Sequence, residues 1–275
     1  MIKPVQRDLY AVIGNPVEHS LSPVMMNAGF RAIGYKACYL AFEVDDIACD
    51  LDILHRVGIS GLSVTIPHKE AVIALCESLD QTARAIGAVN TLKRTPTGWQ
   101  GRNTDWLGIV RPISRFGSLK GKKALIIGAG GAARAAVFGL SQEGANITIT
   151  NRSEKRGLKL AHEFECRFVS LDQFSKERYE IVVQCTPLGM QGFGSDLSVP
   201  KDFFEPSMIV MDVVYRPMWT SFLKSARDSG CRVVTGLEML LHQGLAQFEW
   251  WTDRDAPEEA MRSALYEALC GERNG

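Results

Sequence analysis

The sequence lacks several features that mark particular classes of protein. Its 275 residues carry 31 basic and 31 acidic side chains. This balance argues against a dedicated binder of nucleic acid or anionic membranes, which needs a net basic surface. The seven Cys are scattered without a Cys-x-x-Cys pair, and the five His lie far apart. That pattern argues against a disulfide framework or a metal site, and it predicts reduced thiols in a cytoplasmic protein.

Long hydrophobic runs are also missing. The longest apolar stretch, Ala124 to Leu140, is interrupted by glycines and Arg134, and it is too short to span a bilayer. The first residues include Lys3 and Arg7 but no apolar segment typical of an export signal. We expect a small-molecule substrate, no membrane or nucleic-acid partner, and a monomer or a homodimer.

The chain does contain a regular alternation of short β-branched runs with segments of helical period. This alternation is typical of βαβ units and largely parallel sheets. It occurs in two series, the second starting at Lys122, and therefore predicts an α/β fold with two αβ domains. We place the first domain at 1–106 plus 238–275, because the closing helices have no strand of their own, and the second at 107–237. Within the first domain we predict a helix from about His68 and a hairpin from Val89 to Gly101.

A dinucleotide signal opens the second series. The strand-like run ending at Ile127 leads into a G-x-G-x-x-A turn and then a helical segment; the turn comprises Gly128, Ala129, Gly130, Gly131 and Ala132. In this context the first glycine permits a tight turn, and the second lets the backbone approach a pyrophosphate at the helix N-terminus. Glycine-rich turns also open helices for packing reasons alone, but the strand–turn–helix order favours a Rossmann domain.

The end of the next strand indicates which dinucleotide binds. An NAD enzyme usually has an acid there for the ribose 2′-hydroxyl, whereas this chain has Asn151 followed by Arg152. Arg152 can bind a 2′-phosphate in bidentate fashion, and Ser153 and Arg156 add donors nearby. Ser153 could equally be a helix N-cap, and both roles can hold together. The sequence therefore favours NADP over NAD.

Polar residues follow the strands of the first domain, where open α/β sheets bind ligands. Ser22 precedes Pro23 and has the structural role of an N-cap available to it, so Ser20 is the better ligand candidate. Lys69 falls in the first turn of the predicted helix, where the macrodipole disfavours a cation and should lower its pKa. Asp105 by itself is explained as an acid that opens a helix. Paired with Lys69, it suggests proton transfer coupled to hydride transfer.

Taken together, these residues resemble the shikimate dehydrogenase family over almost the whole chain. Seven motifs occur in order: Asn15-Pro16 with Ser20 and Ser22, Val64-Thr65-Ile66-Pro67-His68-Lys69, Gly87-Ala88-Val89-Asn90-Thr91, Asn103-Thr104-Asp105, Gly128-Ala129-Gly130-Gly131-Ala132, Thr186-Pro187-Leu188-Gly189-Met190, and Gly236-Leu237-Glu238-Met239-Leu240. Any one of them is modest evidence, but seven in sequence are specific.

The resemblance implies reversible reduction of 3-dehydroshikimate to shikimate by NADPH, a step of aromatic amino-acid biosynthesis. It implies an N-terminal substrate domain, a Rossmann NADP-binding domain and an active site in the cleft between them. Lys69 would protonate the carbonyl oxygen, while Asp105 would bind hydroxyls and hold the lysine. Residues carried over as substrate ligands are Ser20, Ser22, Thr65, Asn90, Tyr215 and Gln243, and the backbone at Val213 and Gly236 would contact the nicotinamide.

Five positions depart from the commonest family pattern. Ser63 stands where Asn is frequent, Arg102 where an acid is frequent, and Trp106 where Gly is frequent, while Gln184-Cys185 replaces Asn-Ala. Arg102 and Trp106 flank the predicted acid and so bear on its environment and on substrate breadth.

Three alternatives stay open at this point. An NAD-dependent quinate/shikimate dehydrogenase would have a site with room for an extra hydroxyl. A non-catalytic nicotinamide-binding regulator could use the same fold. A dehydrogenase for another ligand, such as a folate, fits less well, because the serines and Asn90 suit a carboxylate and hydroxyls better than a bulky heterocycle.

Overall fold

The computed structural model describes residues 7–190, 193, 199–200 and 202–271. The chain divides into two compact units, one built from the residues up to Thr104 together with those from Gln243 onward, and the other from Asp105–His242. Each unit contains a six-stranded sheet with helices around it. The predicted α/β class is therefore confirmed. Among the described residues, no helix is both long enough and apolar enough to cross a membrane.

The first unit is built on a mixed sheet in which parallel pairs predominate. Its strands lie in the order β2-β1-β3-β5-β6-β4, with β5 antiparallel to both neighbours. This makes β1, β3 and β5 interior strands, whose apolar side chains form the core. The elements are β1 (Asp8–Gly14), α1 (Ser22–Ala32), β2 (Ala37–Glu43), α2 (Ile47–Arg56), β3 (Gly61–Val64), β4 (Ser78–Leu79), α3 (Gln81–Ile86), β5 (Thr91–Arg94) and β6 (Trp99–Arg102).

The second unit has an entirely parallel sheet in the order β12-β11-β10-β7-β8-β9. The chain leaves β7 toward β8 on one side and later returns to β10 on the other, so the topological switch lies between β7 and β10. The elements are α4 (Asp105–Ser114), β7 (Lys123–Ile127), α5 (Gly131–Gln142), β8 (Asn146–Thr150), α6 (Glu154–Glu163), β9 (Arg167–Phe168), β10 (Ile181–Gln184), β11 (Ile209–Asp212), α7 (Ser221–Asp228) and β12 (Arg232–Val234).

Two closing helices complete the chain. Helix α8 (Gly236–Thr252) starts in the second unit and ends in the first, and α9 (Glu258–Gly271) packs on α1. The aromatic side chains of α8 enter the core of the first unit: Phe248 stacks on Phe30 with ring centroids 5.1 Å apart, and Trp251 stacks on Tyr10 at the same separation. These contacts anchor the second half of α8 to helix α1 and strand β1 of the first unit.

One predicted helix is wrong. The sequence predicts a helix from about His68, but residues 66–70 form turns, and only a five-residue 3-10 helix, Ala71–Leu75, follows. The physical reason lies in the backbone, because the Lys69 carbonyl accepts a hydrogen bond from Val89 N at 2.8 Å. That carbonyl is thereby tied to the segment before β5 instead of to the next helical turn. The predicted hairpin is confirmed as β5 and β6.

Gly61, at the start of β3, provides space for an aromatic ring. Nε1 of Trp251 donates a hydrogen bond to the Leu92 carbonyl at 3.0 Å, and the indole passes directly over Gly61. A methyl group added to Gly61 would lie 2.5 Å from that nitrogen. Any side chain here must therefore displace a buried tryptophan.

We expect Gly61→Ala to lower the free energy of unfolding by about 1–3 kcal/mol, the usual cost of overpacking a core. Urea denaturation measures this loss. Gly130→Ala is the control, because a methyl group at Gly130 meets nothing within 4 Å; without ligand it should lose only the difference between a glycine and an alanine N-cap, at most about 1 kcal/mol. Equal stabilities for Gly61→Ala and wild type would contradict the packing argument.

Candidate active site

Asn90 is the centre of the polar cluster in the first unit. It precedes β5, is 1% exposed, and its Oδ1 accepts hydrogen bonds from Thr104 N at 2.8 Å and Thr91 Oγ1 at 2.7 Å. Its Nδ2 lies 3.0 Å from Thr104 Oγ1 and 3.2 Å from Gln243 Oε1. The fold therefore brings together two predicted site residues, Asn90 and Gln243, that are far apart in sequence.

Lys69 and Asp105 are both anchored beside this cluster through the backbone. The Lys69 carbonyl is held by Val89, the residue before Asn90, and Asp105 directly follows Thr104, whose amide is held by Asn90. Asp105 begins α4 as predicted and is 3% exposed, whereas Lys69 is half-buried. Turns and a five-residue 3-10 helix replace the predicted α-helix after Lys69, so the macrodipole of a full α-helix is absent there.

The two serines have the opposite structural roles from those expected. Helix α1 begins at Ser22 itself, and the Ser22 side chain does not cap it. Instead, Ser20 Oγ accepts a hydrogen bond from Ser22 N at 3.3 Å, so Ser20 stabilises the first turn. The prediction that Ser22 is the N-cap and Ser20 has no structural role is wrong, because the helix starts one residue earlier than Pro23 suggested.

A buried hydrogen-bond chain lies behind Ser22, and the sequence did not reveal it. Tyr39 donates to Ser63 Oγ at 2.6 Å, and Ser63 donates to Gln247 Oε1 at 2.7 Å. Burial raises the pKa of the Tyr39 phenol, while hydrogen bonds with Ser63 and Ser22 lower it in part, so the hydroxyl stays protonated as a donor. The sequence did contain one indication that Gln247 belongs with the site, because Gln247 follows Gln243 by one helical turn and shares its face of α8.

Gln247 also joins this chain to the Asn90 cluster. Its Nε2 donates to Thr91 Oγ1 at 2.9 Å and to the Asn90 carbonyl at 3.1 Å. Thr65 is held by other contacts. Its backbone amide donates a hydrogen bond to the Ile13 carbonyl at 2.9 Å, and its methyl group occupies the space beside the Cα of Gly14. The adjacent His68 is buried, and its Nε2 lies 2.7 Å from the Val44 carbonyl, which supports a packing role.

The glycine turn of the second unit has the form needed for a phosphate site. Gly128 has φ of 126°, a conformation that favours glycine, and its amide donates to the Thr150 carbonyl at 2.8 Å. Gly130 is the N-cap of α5, and the space beside its Cα is open. The first amides of α5, including those of Gly131 and Ala132, therefore begin beside room for an anion.

The loop after β8 adds cationic and hydroxyl donors. Among the described residues, the exposed guanidinium of Arg152 has neither an ion pair nor a hydrogen bond to another side chain. Ser153 is the N-cap residue of α6, but its side chain makes no capping hydrogen bond, so its hydroxyl is available. Asn151 donates to the Ser153 carbonyl at 2.9 Å, and Arg156 Nη2 lies 3.4 Å from the Ala129 carbonyl. The first contact stabilises the loop, and the second links the start of α6 to the glycine turn.

The segment after β11 carries Val213 and Tyr215, both partly exposed. Gly236 lies against it, because a methyl group there would be 2.5 Å from the Val213 carbonyl oxygen and 2.6 Å from that of Val214. Asp212, which ends β11, is fully buried and accepts hydrogen bonds from Thr220 Oγ1 at 2.7 Å and Val214 N at 3.0 Å. Sequence reasoning missed Asp212, although an acid at the carboxyl end of an apolar strand was a usable signal.

The chain is similar to known proteins along its whole length. Family models match residues 12–92 (shikimate dehydrogenase substrate binding domain), 113–189 (shikimate/quinate 5-dehydrogenase) and 236–266 (shikimate 5′-dehydrogenase C-terminal domain). A protein of Syntrophobacter fumaroxidans named shikimate dehydrogenase (NADP(+)) is 51% identical over 100% of this chain and 99% of its own length. The chain belongs to the shikimate dehydrogenase family. The predicted family membership is thus confirmed.

Solved structures of the shikimate dehydrogenase family agree in fold. A shikimate dehydrogenase crystallised with NADP+ is 35% identical with a TM-score of 0.90, covering 96% of each chain. The Thermus thermophilus shikimate 5-dehydrogenase crystallised with NADP(H) and shikimate is 35% identical with a TM-score of 0.87, covering 95% of this chain and 100% of that one. These likenesses confirm the predicted fold class, an N-terminal substrate domain with a mostly parallel sheet and a Rossmann domain.

Two departures from the common shikimate dehydrogenase pattern have packing roles. The Arg102 guanidinium lies 3.1 Å from Asp80 Oδ2 and 4.4 Å from the centroid of the Trp250 ring. The Trp106 indole meets Phe138 edge to face with centroids 5.8 Å apart. A third, Cys185, is partly exposed. Desolvation raises the pKa of its thiol, with the carboxylates of Asp212 and Asp105 adding to the effect, and this favours the neutral thiol.

Burial raises the pKa of the Asp212 carboxyl from 3.8 to about 7, and its hydrogen bonds offset only part of the shift. The folded state then holds the proton more tightly than the unfolded state, so the stability from this group falls as the pH rises from about 4 to about 7. Asp212→Asn removes the titration. We expect its unfolding free energy relative to wild type to rise by up to about 1.4 kcal/mol per pH unit in this window.

Urea denaturation at pH 5, 6, 7 and 8 measures that difference. Asp202→Asn, at an exposed position of the same unit, is the control variant. A difference between Asp212→Asn and wild type that stays constant or shrinks with rising pH would contradict the assignment.

Proposed function

We propose that this protein is an NADP-dependent shikimate dehydrogenase that reversibly reduces the 3-ketone of 3-dehydroshikimate to shikimate, a step toward chorismate and the aromatic amino acids. Similarity along the entire chain to a relative that carries this name is the observation that carries the proposal. The motifs that bear the chemistry, including Lys69 and Asp105, are intact within it.

We assign the catalytic roles to Lys69 and Asp105. Reduction of a ketone needs a hydride at carbon and a proton at oxygen, and NADPH supplies the hydride when it is bound. The Lys69 ammonium donates the proton to the carbonyl oxygen, and in the reverse direction the amine accepts it from the alcohol. Asp105 accepts hydrogen bonds from substrate hydroxyls and from the lysine. The half-buried position of Lys69 and the burial of Asp105 support these roles, because burial limits competition by water.

The substrate ligands follow from the polar cluster of the first unit. Ser20 and Ser22 are suited to the carboxylate, because their hydroxyls precede and open α1 and Tyr39 supports Ser22 from behind. Thr65 and Gln243 are assigned to hydroxyl or carboxylate groups, and Tyr215 to the same ligand. Asn90 is assigned to substrate contact. Because it also binds Thr104 and Gln243, we assign it the further role of orienting Gln243.

The second unit fits NADP on three observations. The space beside Gly130 is open at the start of α5, the Arg152 guanidinium is exposed, and no acid follows β8 at Asn151. We assign Gly128, Ala129, Gly130, Gly131 and Ala132 to the pyrophosphate, and Asn151, Arg152, Ser153 and Arg156 to the 2′-phosphate and adenosine. The backbones of Val213 and Gly236 are assigned to the nicotinamide. The substrate and catalytic domain is placed at 1–106 plus 238–275 and the NADP-binding domain at 107–237.

A quinate/shikimate dehydrogenase that uses NAD is the second candidate, since one matching family model covers shikimate and quinate enzymes together. Arg152 argues against it, because a guanidinium recognises a phosphate that NAD lacks. A non-catalytic regulator is disfavoured by the presence of Lys69 and Asp105. An absorbance assay at the NADPH band, with shikimate and then quinate and with both cofactors, separates these candidates. A cytoplasmic location and a monomeric or homodimeric state stay predictions.

We expect Lys69→Ala to lower kcat by about 10²–10⁴-fold, the usual contribution of general acid–base catalysis, with a modest effect on the KM for shikimate. Steady-state kinetics at saturating NADP+ measure both constants. The control is Lys36→Ala, an exposed lysine of the same unit, which should retain wild-type rates. Near-normal turnover of Lys69→Ala would exclude Lys69 as the proton donor.

We expect Arg152→Ala to raise the KM for NADP+ by about 10- to 100-fold and to change the KM for NAD+ far less, because it removes a partner of the 2′-phosphate only. Both constants come from shikimate oxidation at a fixed shikimate concentration. Lys155→Ala, an exposed cation on the adjacent helix, controls for a general loss of positive charge. Equal losses for both cofactors would count against a phosphate contact.

A further inference from the structure

Gln184 occupies the topological switch of the second sheet. It is the last residue of β10 and pairs in register with Ile127, the last residue of β7, which the glycine turn follows. A methyl group on Gly128 would lie 3.3 Å from the Thr186 side chain, so the segment after β10 borders the glycine turn directly. Ligands of open α/β sheets bind at this point, outside the carboxyl ends of the strands.

The Gln184 side chain holds that segment at several atoms. Its Nε2 donates to the carbonyls of Thr186 and Leu188, each at 3.1 Å, and its Oε1 accepts from Thr186 N. Leu188 N in turn donates to Thr186 Oγ1 at 3.3 Å. The side-chain amide of Gln184 therefore fixes the backbone conformation of residues 186–188.

Asp212 extends the same network to the segment after β11. The Gln184 Nε2 lies 3.4 Å from Asp212 Oδ1, which also accepts from Val214 N, while Asp212 Oδ2 accepts from Thr220 Oγ1. The Val213 amide donates to the Gln184 carbonyl at 3.0 Å. The two segments after β10 and β11 are thereby held to one another by buried hydrogen bonds.

Thr220 is the last member of this hydrogen-bond network and binds Asp212 from the N-terminus of helix α7. Its hydroxyl donates to Asp212 and accepts from Leu223 N at 3.2 Å, which makes it the N-cap of α7. A methyl group on Gly189 would lie 3.3 Å from the Thr220 methyl, so the end of the 186–189 segment rests on Thr220. The network therefore contacts this segment at both ends.

We propose that Gln184 and Asp212 are positioning residues for the dinucleotide, acting together as a buried clamp on residues 186–188 and 213–214. Both side chains are 0% exposed, so they act through these segments and not by touching the ligand. A wall that is fixed before binding spares the cofactor the entropy of ordering two loops. The inference rests on the proposed function, because it takes NADP as the ligand at the switch point.

The test compares matched variants by two readouts. Gln184→Met keeps an unbranched side chain of similar length but loses every side-chain hydrogen bond, and Gln142→Met, at an exposed position of the same unit, is its control. We expect the NADPH Kd, measured by fluorescence titration without substrate, to rise about tenfold in Gln184→Met, as does the KM for NADP+. The KM for shikimate should stay within twofold, and Gln142→Met should match wild type.

A second pair keeps the inference testable should Gln184→Met fail to fold. Thr220→Val removes the hydroxyl that Asp212 accepts from, whereas Thr220→Ser retains it. We expect Thr220→Val to bind NADPH more weakly than wild type and Thr220→Ser to bind it as wild type does. NADPH binding as in wild type by Gln184→Met or by Thr220→Val would overturn the inference, as would equal losses for NADP+ and shikimate. If wild type itself neither binds NADPH nor oxidises shikimate, the proposed function fails and the clamp with it.

Discussion

A buried polar side chain at the end of a strand needs hydrogen-bond partners. The loops around the candidate site are held in the positions where they supply those partners. Asn90 satisfies this requirement in the first unit by holding Thr104 and Gln243. Asp212 does so in the second by accepting from Thr220 and Val214. Because an unpaired buried polar atom costs about 1–3 kcal/mol, each cluster resists rearrangement of the segments it binds. The chemistry assigned to Lys69 and to the glycine turn depends on the positions of those segments.

The same requirement explains several departures from the commonest family pattern. Ser63 serves as both acceptor and donor between Tyr39 and Gln247, a relay that a hydroxyl makes in a confined space. Gln184 has the length to reach from Asp212 to the Leu188 carbonyl. Arg102 pairs with Asp80 and lies over the Trp250 ring. Ser63 and Gln184 thus have hydrogen-bond partners that fit the size of their side chains.

Local sequence patterns predicted elements well where one segment carried the whole signal. The strand–turn–helix at Gly128 and the hairpin of β5 and β6 are of this kind. Prediction failed at Lys69, since a hydrogen bond from Val89, distant in sequence, competes for its carbonyl. It failed at Ser20 and Ser22 for a smaller reason: α1 starts one residue earlier than Pro23 suggested, so Leu21 is the N-cap and the Ser20 hydroxyl accepts from Ser22 N. Boundaries of elements depend on such contacts more than on propensity.

By itself, the sequence determined the α/β class, the dinucleotide turn and the absence of an acid at Asn151, because each is a property of a contiguous stretch. The family motifs also supplied the candidate residues as types in an order. Only the tertiary structure decided which distant side chains meet: Asn90 with Gln243, Ser63 with Gln247, and Gln184 with Asp212. Those pairings join strands and helices up to 184 positions apart, and periodicity along a chain has no information about register between elements that far apart.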